Sequence, residues 1–135
     1  MRLTKNFTLE ELTFSQTAFN KNINNQPTPD VVRNLRVLAL NLQILRSYIK
    51  RPITITSGYR SPTLNEAVGG VRESHHLEGY AADIVCPYLT IAELTDAASR
   101  CLIYDQLINE YDSWVHLSVA PDLRMQKLHF QKRVA

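Results

Sequence analysis

The sequence predicts an α+β fold in a single domain, with a mostly antiparallel sheet and two or three helices. Three observations carry that prediction. A chain of 135 residues has room for one domain. Apolar residues recur at three- and four-residue steps before residue 50, the spacing of an amphipathic helix. After residue 105 short alternating segments separated by turn residues take over, so helices come first and strands later.

Taken in order, Thr8-Leu9-Glu10-Glu11 fits a capping box, and a short helix is expected from near Thr8 to Ser15. Residues 16–27, rich in asparagine and closed by Gln26-Pro27, read as a polar loop. Thr28-Pro29-Asp30 supplies a capping residue, a proline for the first helical position and an acid for the first turn. Val31, Leu35, Leu38, Leu42, Leu45 and Ile49 then give one long helix a stripe for the core. Pro52 stops it, and Ile53-Thr54-Ile55-Thr56 alternates as a strand. Residues 57–79 read mostly as loop and turn, and Tyr80 to Val85 as a strand closed by Pro87. Thr90-Ile91-Ala92-Glu93 is a second capping box, with Ile91, Leu94, Ala98 and Cys101 on one helix face. Gln106–Tyr111, Trp114–Val119 and Arg124–Phe130 read as strands joined by turns at Asp112-Ser113 and Pro121-Asp122. Residues 1–27 thus form a short helix and loop ahead of a core spanning 28–135, within one domain.

Composition excludes several classes of function. Hydrophobic residues make up 44% and charged residues 21%, which is not the balance of a disordered chain. A net charge of +2 without a run of like charges argues against a nucleic-acid surface. The longest apolar stretches, such as Val37 to Leu40, fall far short of a membrane span. The first residues lack the apolar core of a secretory signal, so synthesis as a soluble cytoplasmic product is expected, with a monomer as the default. Cys86 and Cys101 read as small buried hydrophobes rather than a disulfide.

The chemistry gathers around histidines and one aspartate. In Trp114-Val115-His116-Leu117-Ser118-Val119, strand alternation sends Val115, Leu117 and Val119 to the core and Trp114, His116 and Ser118 to the other face. Gly79 lets the chain turn after His76, and Ala81 leaves space beside Asp83. His76, Asp83 and His116 can therefore meet around a cation. Two imidazoles and one carboxylate leave a fourth tetrahedral position open, the layout of a catalytic zinc site.

Ser74-x-His76-x-x-Gly79-x-Ala81-x-Asp83, followed by Trp114-x-His116-x-Ser118, resembles the zinc signature of the M15 peptidases. These include D-alanyl-D-alanine carboxypeptidases and dipeptidases, and bacteriophage endolysins that cut L-alanyl-D-glutamate bonds. The resemblance extends through Ile55–Ser61, Leu64–Gly70 and Phe7–Thr13, the last block being similar to small phage-type members. It implies the hedgehog/D-Ala-D-Ala peptidase-like fold, Zn²⁺ held by His76, Asp83 and His116, and peptidoglycan stem peptides as partners. On a phage-type reading the protein acts on the cell wall after release. Arg60 matches the family arginine that faces the substrate, and Ser74 either positions His76, contacts substrate or simply stabilises the turn. Trp114 suits either a wall of the substrate cleft or a packing role.

Several members carry an acid three residues before the last histidine, where this chain has Ser113. Glu110, six residues before it, is similar in spacing to the glutamate near zinc in hedgehog-type domains. Strand parity can set Glu110 beside His116, so it is the expected general base, with Asp112 a turn former. His75 is expected at the solvent or cleft rim, and His129 in a structural place. The resemblance therefore implies a zinc peptidase of the cell wall. The alternative, kept open by Ser113, is a non-catalytic zinc module of the same fold that serves structure or partner binding.

Overall fold

A computed structural model describes residues 1–131. Its organising element is a five-stranded sheet of β1 (Thr54–Ser57), β2 (Ala81–Val85), β3 (Gln106–Glu110), β4 (Trp114–Ser118) and β5 (Gln126–Phe130), in the order β1-β2-β4-β3-β5. All pairings are antiparallel except β3 with β5, which run parallel. The helices are α1 (Leu9–Thr13), α2 (Gln16–Asn20), α3 (Pro29–Ile49), α4 (Pro62–Ala67) and α5 (Ile91–Cys101), and a 3-10 turn spans His75–Glu78.

Local chemistry explains most boundaries. Thr8 and Thr90 each close a capping box with the glutamate three positions on. Thr28 caps α3 ahead of Pro29, and Lys50 ends it in the left-handed conformation. Two short helices occupy segments that read as loop. Ser15 caps α2 and Ser61 caps α4, each accepting from the backbone N–H three residues on. Ser61-Pro62 is the same start signal as Thr28-Pro29, but so short a helix has no apolar stripe to announce it. The β3–β4 turn covers Tyr111–Ser113, one residue earlier than expected, with Tyr111 and Asp112 at φ 60° and 54°. Asn109 holds that turn by accepting from the Asp112 N–H and donating to its carboxylate.

One face of the sheet packs on helices. Leu35, Leu38, Leu42 and Leu45 of α3 and Leu94 and Ala98 of α5 are buried with Ala82, Ile84, Leu107, Val115 and Leu117. Along their strands the last five alternate with residues of the other face, among them Asp83, Gln106, His116 and Ser118, as pleating requires. Phe7 and Leu12 join the same core, so residues 1–27 are fastened to residues 28–131. Cys86 is buried, Cys101 half-buried, and both are free thiols.

The other face is left for polar side chains. Register puts Asp83 opposite His116, and His116 opposite Ile108, while a bulge between Ile55 and Ser57 brings Ser57 opposite Asp83. The loop before β5 is tied by Asp105, which is fully buried and accepts from the Arg124 backbone N–H, Nε and Nη2. No helix among the described residues is long and apolar enough to cross a membrane.

Two predictions follow from these ties. Gly79 ends the 3-10 turn at φ 81°, where an added Cβ would also meet Val31 at 3.0 Å. Gly79→Ala should cost at least about 1 kcal/mol, read as a lower urea midpoint at unchanged slope. Hydrogen bonds from Arg124 lead the causes that hold the Asp105 carboxyl below its ordinary value, against the opposing effect of burial. The folded value lies below the unfolded one, so this stabilisation is complete above about pH 5 and is lost as pH falls further. Asp105→Asn should therefore flatten the loss of thermal stability between about pH 5 and pH 3.

Candidate metal centre

Three side chains from two strands and a turn converge on the polar face. His116 Nδ1 lies 3.0 Å from Asp83 Oδ1, and His76 Nε2 lies 3.4 Å from the same oxygen. One donor atom from each residue falls within 4.8 Å of the others, and the two imidazole rings are 5.2 Å apart. His76 is buried, carried by the 3-10 turn that packs against β2. Its Nδ1 donates to the Gly58 carbonyl at 2.7 Å, which orients the ring and turns Nε2 toward Asp83. Ser74 accepts from the His76 backbone N–H and caps the turn.

Asp83 is the electrostatic centre of the group. Burial works against its ionisation, but hydrogen bonds from His116 and His76 outweigh burial and hold the carboxyl well below the usual range. Two imidazoles and a carboxylate, with one imidazole oriented by a backbone carbonyl, suit a small divalent ion such as zinc. The donor set thus fits the metal that the sequence resemblance implies.

Arg60 stands over this cluster with its guanidinium fixed at three points. Nε donates to Ser57 Oγ at 3.2 Å, Nη1 to Asn65 Oδ1 at 3.2 Å, and Nη2 lies 3.6 Å from Asp83 Oδ2. Burial lowers its pKa while Asp83 and Glu110 raise it. Its backbone is held as firmly. The Arg60 N–H donates to the His76 carbonyl, and the Tyr59 N–H to Leu12 of α1. Asn25 bridges Thr13, Tyr59 and Ser61 through its amide. The polar 16–27 segment therefore buttresses the arginine, and Asn65 and Asn25 are positions to which sequence reading gave no role. An asparagine's two-sided amide carries no periodic signal, and only the fold reveals what it bridges.

Glu110 shares the face of His116, two residues along β3 from Ile108 and opposite Trp114. Burial is the main cause that pushes its carboxyl up, Asp83 adds to this, and His116 and Arg60 pull it down. Ser113 sits exposed in the turn, its hydroxyl donating to the Tyr111 carbonyl. Asp112 is a turn residue as expected, and lies 3.3 Å from His129, giving that histidine a partner. Trp114 packs edge-on against Tyr111, and its buried indole N–H has no partner among the described residues. His75 lines a cleft beside His116 but is bonded inward, its Nδ1 2.6 Å from Ser118 Oγ.

Comparison with known proteins gives this constellation a lineage. A family model described as Peptidase M15 matches residues 5–118. The chain belongs to the M15 peptidase family. Over 52 residues, 38% of the chain, it is 42% identical to the zinc D-Ala-D-Ala carboxypeptidase of Streptomyces albus G. The matched stretch covers only 20% of that relative's length. The M15 model spans α1 through β4, and so includes every residue of the cluster described above.

The site predicts its own thermodynamics. Zinc at 100 times its dissociation constant should raise folding stability by about 2.7 kcal/mol, and a chelator should remove that gain. His76→Ala and His116→Ala should each abolish the thermal shift. Gly58→Ala should weaken zinc binding without touching a ligand, because its Cβ would fall 2.2 Å from the Leu12 carbonyl oxygen and displace the carbonyl that orients His76. Isothermal titration with zinc checks all three.

Proposed function

We propose that the protein is a zinc-dependent peptidase that hydrolyses peptide bonds in bacterial peptidoglycan stems. The observation that carries this reading is the placement of Glu110 and Arg60 around His76, Asp83 and His116 on one sheet face. Membership of the M15 family and the likeness to a zinc D-Ala-D-Ala carboxypeptidase support it.

His76, Asp83 and His116 would hold the metal. A bound zinc ion supplies Lewis acidity that activates water at neutral pH and polarises a scissile carbonyl. Glu110 takes a proton from the attacking water on a carboxylate oxygen and returns it to the leaving amine. A carboxyl pushed above its ordinary value by burial suits both transfers. The Arg60 guanidinium, locked by Ser57 and Asn65, presents fixed positive charge to the oxyanion that develops on the substrate carbonyl. The Gly58 carbonyl and Ser74 keep His76 in place throughout. Trp114 offers a wall for the peptide next to the base. The setting we propose is a phage-type lysin, made in the cytoplasm and acting on the wall after release, on the likeness of the Phe7–Thr13 block to small phage members.

Ser113, standing where several relatives carry an acid, favours the second reading of a non-catalytic zinc module. Glu110→Gln separates the two. It should leave zinc stoichiometry at one per chain and lower hydrolysis by roughly 10²–10⁴-fold. The assay is mass spectrometry of fragments released from purified peptidoglycan by zinc-loaded and chelator-treated protein. Fragment termini then distinguish carboxypeptidase from endopeptidase cleavage. Absence of any zinc-dependent fragment from folded, zinc-loaded protein would support the binding module.

A further inference from the structure

A cleft of about 420 Å³ opens beside His116 on the side away from Glu110, lined by Ser74, His75, Gln106 and Arg124 among others. Sheet register explains where it lies. Gln106 pairs with Ser118 one step along the ladder from His116, whereas Glu110 and Trp114 pair on the opposite side. The floor is built rather than merely polar. Arg124 faces the cleft about half-exposed, but its Nε and Nη2 grip both oxygens of Asp105 at 3.0 and 2.8 Å, and Asp105 is fully buried. The same carboxylate lies 3.7 Å from His75 Nδ1, which is also 2.6 Å from the buried Ser118 hydroxyl.

A guanidinium carries five N–H donors in a planar fork. Asp105 takes two of the Arg124 donors along one edge, and no other acceptor for the side chain is found among the described residues. The edge formed by Nη1 and Nη2 is therefore free, and its geometry matches a carboxylate bidentately. Glu73 and Asp122 stand exposed at the same cleft. They disfavour a loosely held anion, so binding there needs direct contact with the fork.

We propose that this cleft is a carboxylate subsite, in which Arg124, held by Asp105, binds a free carboxylate of the substrate close to the scissile bond. The proposal rests on the peptidase reading and narrows its substrate to peptides with such a group. Two sources share that chemistry: the C-terminal carboxylate of a D-Ala-D-Ala ending, and the α-carboxylate of a γ-linked D-glutamate. Asp105 is here a positioning residue, and Arg124 touches substrate.

The test compares two substrate pairs with zinc-loaded protein. One pair is a peptide ending in D-Ala-D-Ala as the free acid and as the amide. The other is an L-alanyl-γ-D-glutamyl peptide with the α-carboxylate free and amidated. The expected result is a preference of at least about tenfold in kcat/KM for the free acid in one pair, which names the source. Arg124→Lys keeps a positive charge against Asp105 but loses the fork, and should bring that preference close to one. Equal rates in both pairs, or a preference that survives in folded Arg124→Lys, would overturn the subsite. Because the pairs are read on the natural chain, the test stands even if the variant unfolds. A binding readout keeps the two failures apart: acetyl-D-alanine and its amide, and γ-linked acetylated D-glutamate and its α-amide, are titrated while the Arg124 Nε–H signal is followed by NMR. Acid-selective shifts of that signal without hydrolysis would sink the peptidase reading and keep the subsite. Hydrolysis with no acid-selective shift would do the reverse.

Discussion

Asp83 carries its negative charge in a place where burial opposes it, and the neighbourhood is arranged to make that charge tenable. Hydrogen bonds from His116 and His76 outweigh the desolvation, and the Arg60 guanidinium lies 3.6 Å away. Remove the carboxylate and two imidazoles and an arginine face one another with nothing between them. The position is set by the sheet, because Asp83 is paired with Ser57 on one side and His116 on the other. A one-residue slip in either ladder would turn Asp83 toward the helix-packed core and bury an uncompensated charge. The hydrophobic pattern of β2 and β4 therefore enforces the geometry of the centre as well as the core.

Around that centre, rigidity comes from backbone groups more than from side chains. The Gly58 carbonyl orients His76, the His76 carbonyl receives the Arg60 N–H, and the Leu12 carbonyl receives the Tyr59 N–H. These links chain α1, the end of β1 and the 3-10 turn into one continuous support. Small residues are what allow it: at Gly58 there is no room for a Cβ against α1. The N-terminal segment thus belongs to the site through contacts that its own sequence, a capping box followed by a polar stretch, does not announce.

The face holding the centre divides by charge along the strands. Toward the β3–β4 hairpin stand Glu110 and Trp114, with Tyr111 packed against the indole. Toward the other end stand Gln106, Ser118 and the Arg124–Asp105 pair. A half-buried carboxyl on one side and a fixed cation on the other give the face a direction. The parallel pairing of β5 contributes to this arrangement, since the segment leading into β5 carries Arg124 to Asp105.

Local pattern alone determined the long helix α3, the two capping boxes and the alternation of β4, because each rests on interactions between near neighbours in the chain. Turn chemistry and strand parity made a meeting of His76, Asp83 and His116 plausible, and the resemblance to the M15 signature singled the three out. Helices α2 and α4 escaped because five or six residues cannot display a 3.6-residue period. Asn25, Asn65, Asp105 and Arg124 escaped for a deeper reason. Each acts through a partner 5 to 36 residues away, and hydrogen-bond complementarity leaves no periodic trace in sequence. His75 was set beside solvent or the cleft by parity, but only the tertiary fold supplied the Ser118 hydroxyl that turns it inward. Pairing across strands, not preference within them, decided which polar groups meet.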